Sequence, residues 1–292
     1  MSNERKRVLT TEDLVFRKVF ASPKYSHILI GFINDVLELD VTEVHVEDTY
    51  NIRTFYEESQ KPKRGYTQVD VLARLSNGSL VTIEMQVRKK AWFRERALYY
   101  LNESYNSNYG NHELEISKKE NSESGRKYSA LRPTYGICIM MSNEFEEDNN
   151  PVHRFRMYDI ENELFYQNAD GQELINMVFL ELKKSSAEMR TTLKDWFDYF
   201  LKGKVATEAP EYLQKACQVA EYQNLEKEEQ KMISAKEKAE QDAGAEREYI
   251  WQAGKAEGEA KLISIMASKG KSAKEIAELF DMDEDKVTAL MK

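Results

Sequence analysis

The sequence predicts an α/β sandwich in which a mixed sheet is flanked by helices and followed by a helical C-terminal extension. Three observations predict it. Two amphipathic helical segments come first, an alternating pair of segments around Ser76-Asn77-Gly78 then forms a hairpin, and further strand-like runs follow a third helix. The 292 residues are 41% apolar and 11% aromatic, enough for a large core, which excludes disorder throughout. Forty-two Lys+Arg against 51 Asp+Glu leave a formal charge of −9. That charge argues against coating nucleic acid or an anionic membrane through the overall field, so a polyanion partner must meet a local basic patch. Cys138 and Cys217 stand far apart without a neighbouring Cys or His at ligand spacing, which argues against a disulfide framework or a structural zinc and for a reduced, cytoplasmic setting. The opening Met-Ser-Asn-Glu-Arg-Lys-Arg has no apolar run after its charges, and nowhere do 18 apolar residues follow one another, so we expect a soluble, unexported protein with no membrane partner.

Thr11 reads as an N-cap, with Glu12 and Asp13 in the first turn and Phe16, Val19 and Phe20 as the buried face of a first helix. A second helix runs from Lys24 to Glu38 on Ile28, Phe32, Ile33, Val36 and Leu37, and Val44 and Val46 then alternate as a strand. Between Tyr66 and Val87 two alternating segments flank the turn. Val69, Val71, Ala73 and Leu75 share a face in the first, and Val81, Ile83, Met85 and Val87 in the second. A one-residue slip turns every side chain over, so only some registers bring the apolar faces together. A three-residue loop with Gly78 left-handed pairs Leu75 with Ser79 and therefore Asp70 with Glu84. A two-residue Asn77-Gly78 turn sets Asp70 across from Met85 and the apolar rows on opposite faces. The pattern favours the first register.

A helix from Ala91 to Gly110 follows, on Phe93, Ala97, Leu98 and Leu101, then a polar stretch from Asn111 to Arg126 that reads as a loop. Thr134 to Met141, His153 to Ile160 and Met177 to Leu182 read as strands, and a helix with Trp196, Phe197, Tyr199 and Phe200 closes the domain.

Asp70 and Glu84, joined across the hairpin with Gln86 on the same face, make an oxygen-rich site suited to a hard divalent cation. Such an ion orients a phosphodiester and activates a water, and two like charges this close need one. The plain alternative is a pair of solvated strand residues. Arg88, Lys89, Lys90, Arg94 and Arg96 follow directly, five cations against the single Glu95, in a chain that is acidic overall. A phosphate backbone needs such a rim. Arg88, Lys90 and Arg94 are the candidate DNA contacts, with Lys90 and Arg94 four apart on one helical face, whereas Arg96 points elsewhere, to the core edge or a buried acidic partner. Trp92, Phe93, Tyr99 and Tyr100 are placed to stack on bases, with core packing the alternative for Phe93. Lys61, Lys63 and Arg64 add to the rim. His27, His45, His112 and His153 are scattered and suggest no ligand or base.

The run Gln68-Val69-Asp70-Val71-Leu72, then Ile83-Glu84-Met85-Gln86, then Phe93-Arg94-Glu95-Arg96-Ala97-Leu98-Tyr99-Tyr100 resembles the PD-(D/E)XK nuclease superfamily. More narrowly it is similar to the recombination-promoting nuclease (Rpn) and transposase family. The segments Asp13 to Phe20 and Ile30 to Leu37 resemble that family's first two helices. The resemblance implies a helix-flanked mixed sheet and Mg2+-dependent cleavage of DNA, with Mn2+ as a substitute and Asp70 and Glu84 at the metal positions. The wider superfamily places a lysine where this chain has Gln86, a neutral amide that the narrower family commonly has. Such an amide hydrogen-bonds a water or a phosphate oxygen but brings no charge. Asp13 is a further acidic candidate, with an adequate structural reason to exist as a first-turn residue. A DNA-binding or interaction module that keeps the nuclease fold with little catalysis is the alternative reading.

Composition shifts near residue 205, so the sequence divides into a nuclease-like domain (1–205), a charged helical segment (206–262) and a small helical tail (263–292). The charged segment reads as a long exposed helix from Tyr222 to Leu262, interrupted near Gly244 and Gly254. In the tail Ser272 to Glu275 is a capping box, Ile276, Leu279 and Phe280 form an apolar face, and Asp283 caps a last helix. The tail resembles a helix-turn-helix that reads DNA, or else it caps the long helix or mediates self-association, since Lys269, Lys271, Lys274 and Lys286 are offset by acidic neighbours.

Overall fold

The computed structural model describes residues 9, 12–47, 69–111, 114, 123–185 and 189–291. Thr11, Lys61, Lys63, Arg64, Tyr66 to Gln68, His112 and most of the expected 111–126 loop lie outside the described residues.

Helix α1 (Asp13–Phe20) buries Val15, Phe16, Val19 and Phe20, with Glu12 at its N-cap and no side-chain cap bond. A single 3-10 turn at Pro23–Tyr25 leads into α2 (Ser26–Leu37), whose helix ends where Glu38 turns left-handed at φ 60°. Strands β1 (Val44–Glu47), β2 (Val71–Leu75) and β3 (Leu80–Gln86) form an antiparallel meander. Helix α3 (Phe93–Ser107) starts later than Ala91, because Trp92 is left-handed at φ 60° and breaks the helical run before it. Residues 123–126, expected in a loop, belong to α4 (Glu123–Ser129).

Strand β4 (Thr134–Met140) pairs in parallel with β3, as the α3 crossover between them requires. The segment expected as one strand from His153 to Ile160 is two. β5 (Val152–Arg156) ends where its ladder partner ends, and β6 (Tyr158–Asp159) pairs instead with β7 (Leu164–Phe165) in a separate exposed hairpin. With β8 (Ile175–Glu181) the main sheet has the order β1-β2-β3-β4-β8-β5, parallel in the middle and antiparallel at both flanks.

Helix α5 (Thr191–Lys202) places Trp196 and Phe200 against Phe20 and Phe32, with ring centroids 4.8 to 6.0 Å apart. Helix α6 (Glu211–Val219) lies beyond the composition shift near 205 yet belongs to this body. Its Tyr212 ring sits where a Cβ on Gly31 would meet it at 2.5 Å, and Tyr212 Oη and Trp196 Nε1 both donate to Asp35, at 2.7 and 2.8 Å. The two compact units therefore divide between Leu225 and Glu226.

In the second unit α7 (Lys227–Ser268) runs without interruption through Gly244 and Gly254. Each glycine costs about 1 kcal/mol in a helix, and the surrounding Ala, Glu, Lys and Gln residues offset it. Both expected caps form: Ser272 and Glu275 make a capping box on α8 (Ala273–Phe280), and Asp283 accepts from Asp285 and Lys286 at the start of α9 (Glu284–Leu290). Ile263, Ile276, Ala277 and Val287 are the core of this unit. Among the described residues no helix is long and apolar enough to cross a membrane.

Candidate active site

The site begins with a turn. Leu75 N–H donates to Ser79 O at 2.9 Å, Gly78 N–H donates to Leu75 O at 2.9 Å, and Gly78 takes φ 83°, the left-handed conformation that glycine adopts without cost. This is the three-residue loop expected from the pattern. It pairs Val71 with Ile83, Leu72 with Thr82 and Ala73 with Val81, the register that directs Asp70, immediately before the ladder, toward Glu84, on which its charge acts. Side-chain alternation puts Leu72, Thr82, Glu84 and Gln86 on one face. Helix α3 covers the adjoining part of that face, with Phe93, Ala97 and Leu101 packed against Cys138, Met140 and Phe179. Cys138 is the partner of Glu84 on β4.

Covering this face strips water from its polar groups. Glu84 is 9% exposed, and its Oε1 is buried without a hydrogen-bond partner among the described residues. Burial, then the neighbouring Asp70 charge, pushes its carboxyl group up to about 8, against the pull of Arg96 and Lys90. Asp70 is also raised, chiefly by burial, although its Oδ2 accepts the Met85 N–H at 2.8 Å, which opposes the shift. Asp13 pushes Asp70 in the same direction while Arg17 and Lys90 oppose it. Asp13 is therefore close enough to act on the site, but it is exposed and paired with Arg17 at 3.1 Å. Gln86 is buried, and its Nε2 donates to the Arg88 carbonyl.

A buried carboxylate with an orphaned oxygen beside a half-buried one suits a hard cation. Among the described residues no group of three or more His, Cys, Asp or Glu side chains is arranged to hold a metal. Mg2+ asks for less: it keeps several waters and binds through one or two carboxylates plus substrate phosphate. The donor set of Asp70 and Glu84 fits that ion.

The basic stretch is divided rather than pooled. Lys89 pairs with Glu146 at 2.7 Å. Arg94 stacks on Phe145 at 4.1 Å, donates to the Glu144 carbonyl and lies 3.6 Å from the Glu144 carboxylate. Lys90 and Arg94 do not share a helical face, because Lys90 precedes the start of α3. Arg88 and Lys90 are exposed, and Lys90 acts on both Asp70 and Glu84. Trp92 is 75% exposed, whereas Phe93 is in the core.

One feature lay outside the sequence reading. Glu181, fully buried, accepts from the Glu144 and Phe145 amides and pairs with Lys184 at 2.5 Å and His153 at 3.0 Å, fixing the acidic segment that holds Lys89 and Arg94. Its position on an apolar strand next to β4 carried no signal of these partners. Arg96, expected at the core edge or against a buried acidic partner, lies beside Phe93 and Tyr100, three and four residues away, and its charge acts on the buried Glu84.

No curated protein and no solved structure matches the chain at the significance required. A family model described as PD-(D/E)XK nuclease family transposase matches residues 10–249, which takes in the whole sheet, the hairpin with Asp70 and Glu84, and the first part of α7. With most of its length matched, the chain belongs to the PD-(D/E)XK nuclease family transposases.

Proposed function

We propose that the protein is a divalent-metal-dependent DNA endonuclease, with Asp70 and Glu84 as metal ligands and Mg2+, or Mn2+ in its place, as the ion. PD-(D/E)XK nucleases generally use divalent metal ions. The observation that carries the reading is Glu84: a carboxyl group buried beside a second one, with Oε1 unpartnered, in a chain of a nuclease family. Such an ion, when bound, polarises a phosphate oxygen and lowers the pKa of a water. The chain's own residues do the rest. The Met85 amide fixes the Asp70 carboxylate, and Lys90 and Arg88 present positive charge to the DNA backbone next to it. Gln86 sits beside Glu84 as a neutral hydrogen-bonding group for water or phosphate. In the hydrolysis the water oxygen bonds to phosphorus as the bond to one sugar oxygen breaks. The attacking water gives up one proton to solvent and the leaving oxygen takes one up from solvent, giving a phosphate monoester end and a hydroxyl end. The transposase description of the family suggests recombination or the mobility of DNA elements as the setting.

A second reading, a DNA-binding module with little turnover, draws on the Gln86 amide being bonded to the Arg88 carbonyl rather than aimed at an open position. A plasmid-nicking assay separates the two. Purified protein with Mg2+ should convert supercoiled plasmid to nicked and linear forms, while EDTA or Asp70→Ala abolishes conversion. Equal nicking by wild type and Asp70→Ala would overturn the site, and DNA binding without any nicking would favour the second reading.

A further inference from the structure

Phosphodiester cleavage gathers negative charge at a site whose two side chains, Asp70 and Glu84, are already acidic. Strand β3 brings no cation to it, since Gln86 is neutral and its amide is bonded to the Arg88 carbonyl. Of the five cations that follow, Lys89 and Arg94 are engaged by Glu146 and by Glu144 and Glu147. Arg88 and Lys90 are exposed and precede the helix.

Arg96 differs from all of these. It lies in the first turn of α3 and is half-buried, with its guanidinium 6.0 Å from the Phe93 centroid and 5.6 Å from the Tyr100 centroid. Its Nε donates to Tyr100 Oη at 3.4 Å. Phe93 and Ala97, on either side of it, pack in the same cluster as Cys138, the neighbour of Glu84 on β4. The side chain therefore lies beside two rings, next to the helix positions that pack on the sheet, and its charge acts on Glu84 more than that of Lys90 does. Among the described residues its guanidinium is not consumed by an ion pair, unlike the side chains of Lys89 and Arg94.

We propose that Arg96 is a catalytic residue, its guanidinium contacting a non-bridging oxygen of the scissile phosphate and stabilising the charge that develops there. A planar guanidinium fork matches phosphate oxygens, and the neighbouring rings and the Tyr100 hydroxyl limit the reorganisation it needs as the reaction proceeds. The assignment rests on the nuclease reading of Asp70 and Glu84 given above.

The test uses the full chain with two readouts: single-turnover cleavage of a DNA duplex in Mg2+, and binding of that duplex in Ca2+ across a salt series. Arg96→Met keeps the packed stem and removes the charge. Its cleavage rate should fall about a hundredfold, as when a preorganised charge-stabilising donor is lost, and its slope of log K against log salt should drop by about one unit. Arg96→Lys should recover part of the rate, and the melting midpoint of both variants should stay at the wild-type value. Wild-type rate and slope in Arg96→Met would overturn the proposal while leaving Asp70 and Glu84 in place. A loss that follows a fallen melting midpoint and is not relieved in Arg96→Lys would also overturn it, as a packing role. Should the wild type bind DNA, lose a unit of slope in Arg96→Met and yet fail to cleave, the nuclease reading fails and the phosphate contact stands. A wild type that neither binds nor cleaves overturns both.

Discussion

Glu84 is a carboxyl group whose charge the fold does not accommodate by itself. Its folded value of about 8 stands above the ordinary 4.5, so between those pH values the folded chain holds a proton that the unfolded chain has released. Stability linked to this group is therefore fully present below about 4.5 and is lost as pH rises through 8; Asp70, also raised, acts with the same sign. In metal-free buffer the melting midpoint should fall between about pH 6 and about pH 8.5, and Glu84→Gln should flatten that fall. Mg2+ should raise the wild-type midpoint more at the upper pH, where it need not displace a proton. Parallel pH profiles for wild type and Glu84→Gln would contradict the assignment. The hairpin register that brings Asp70 toward Glu84 was legible in the sequence, because alternation and a three-residue glycine turn unite the apolar faces. The division of the basic stretch was not. It depends on the left-handed Trp92, which removes Lys90 from the helix, and on Glu144, Glu146 and Glu147, which reach Lys89 and Arg94 from a distant segment.

At the scale of elements, the hairpin is what positions the carboxylates, and its turn is tied down from several sides. Arg74 donates to Asn108 Oδ1 at 2.8 Å, Asn108 Nδ2 donates to the Gly78 carbonyl at 3.2 Å, and Asn77 Oδ1 accepts the Ser79 amide at 2.9 Å. Gly78→Ala would adopt a left-handed φ with a side chain and bring its Cβ to 2.6 Å from Leu114 Cδ2. We expect a loss of about 1–2 kcal/mol in urea unfolding from the backbone alone, with unchanged stability as the contradicting result. The first helices were legible from their apolar period, as in Phe16, Val19 and Phe20, and the central strand from the continuous apolar run after Thr134, which is buried on both faces. The 153–160 strand was not, since its end is set by where β8 ceases to offer a partner, and alternation within one segment does not report the length of its neighbour.

For the whole molecule, an acidic chain that meets DNA must do so locally, and each of the two compact units makes a different case. The second unit has the helix pair expected of a DNA-reading tail, yet α9 opens with Glu284 and Asp285 behind an Asp283 cap, a poor surface for phosphates. The first unit holds the paired carboxylates, with Lys90 acting on both and Arg96 on Glu84. The composition shift near 205 did not disclose that α6 belongs to the first unit. Its membership depends on Tyr212 and Trp196 converging on Asp35, contacts between residues far apart in sequence. The central claim is that Asp70 and Glu84 share a divalent cation, and diffraction from crystals of the full chain soaked in Mn2+ tests it most directly. The account predicts an anomalous-difference peak within coordination distance of both carboxylates, absent from crystals of Glu84→Gln. A wild-type map with no peak between Asp70 and Glu84, from protein that still nicks plasmid in Mn2+, would contradict it.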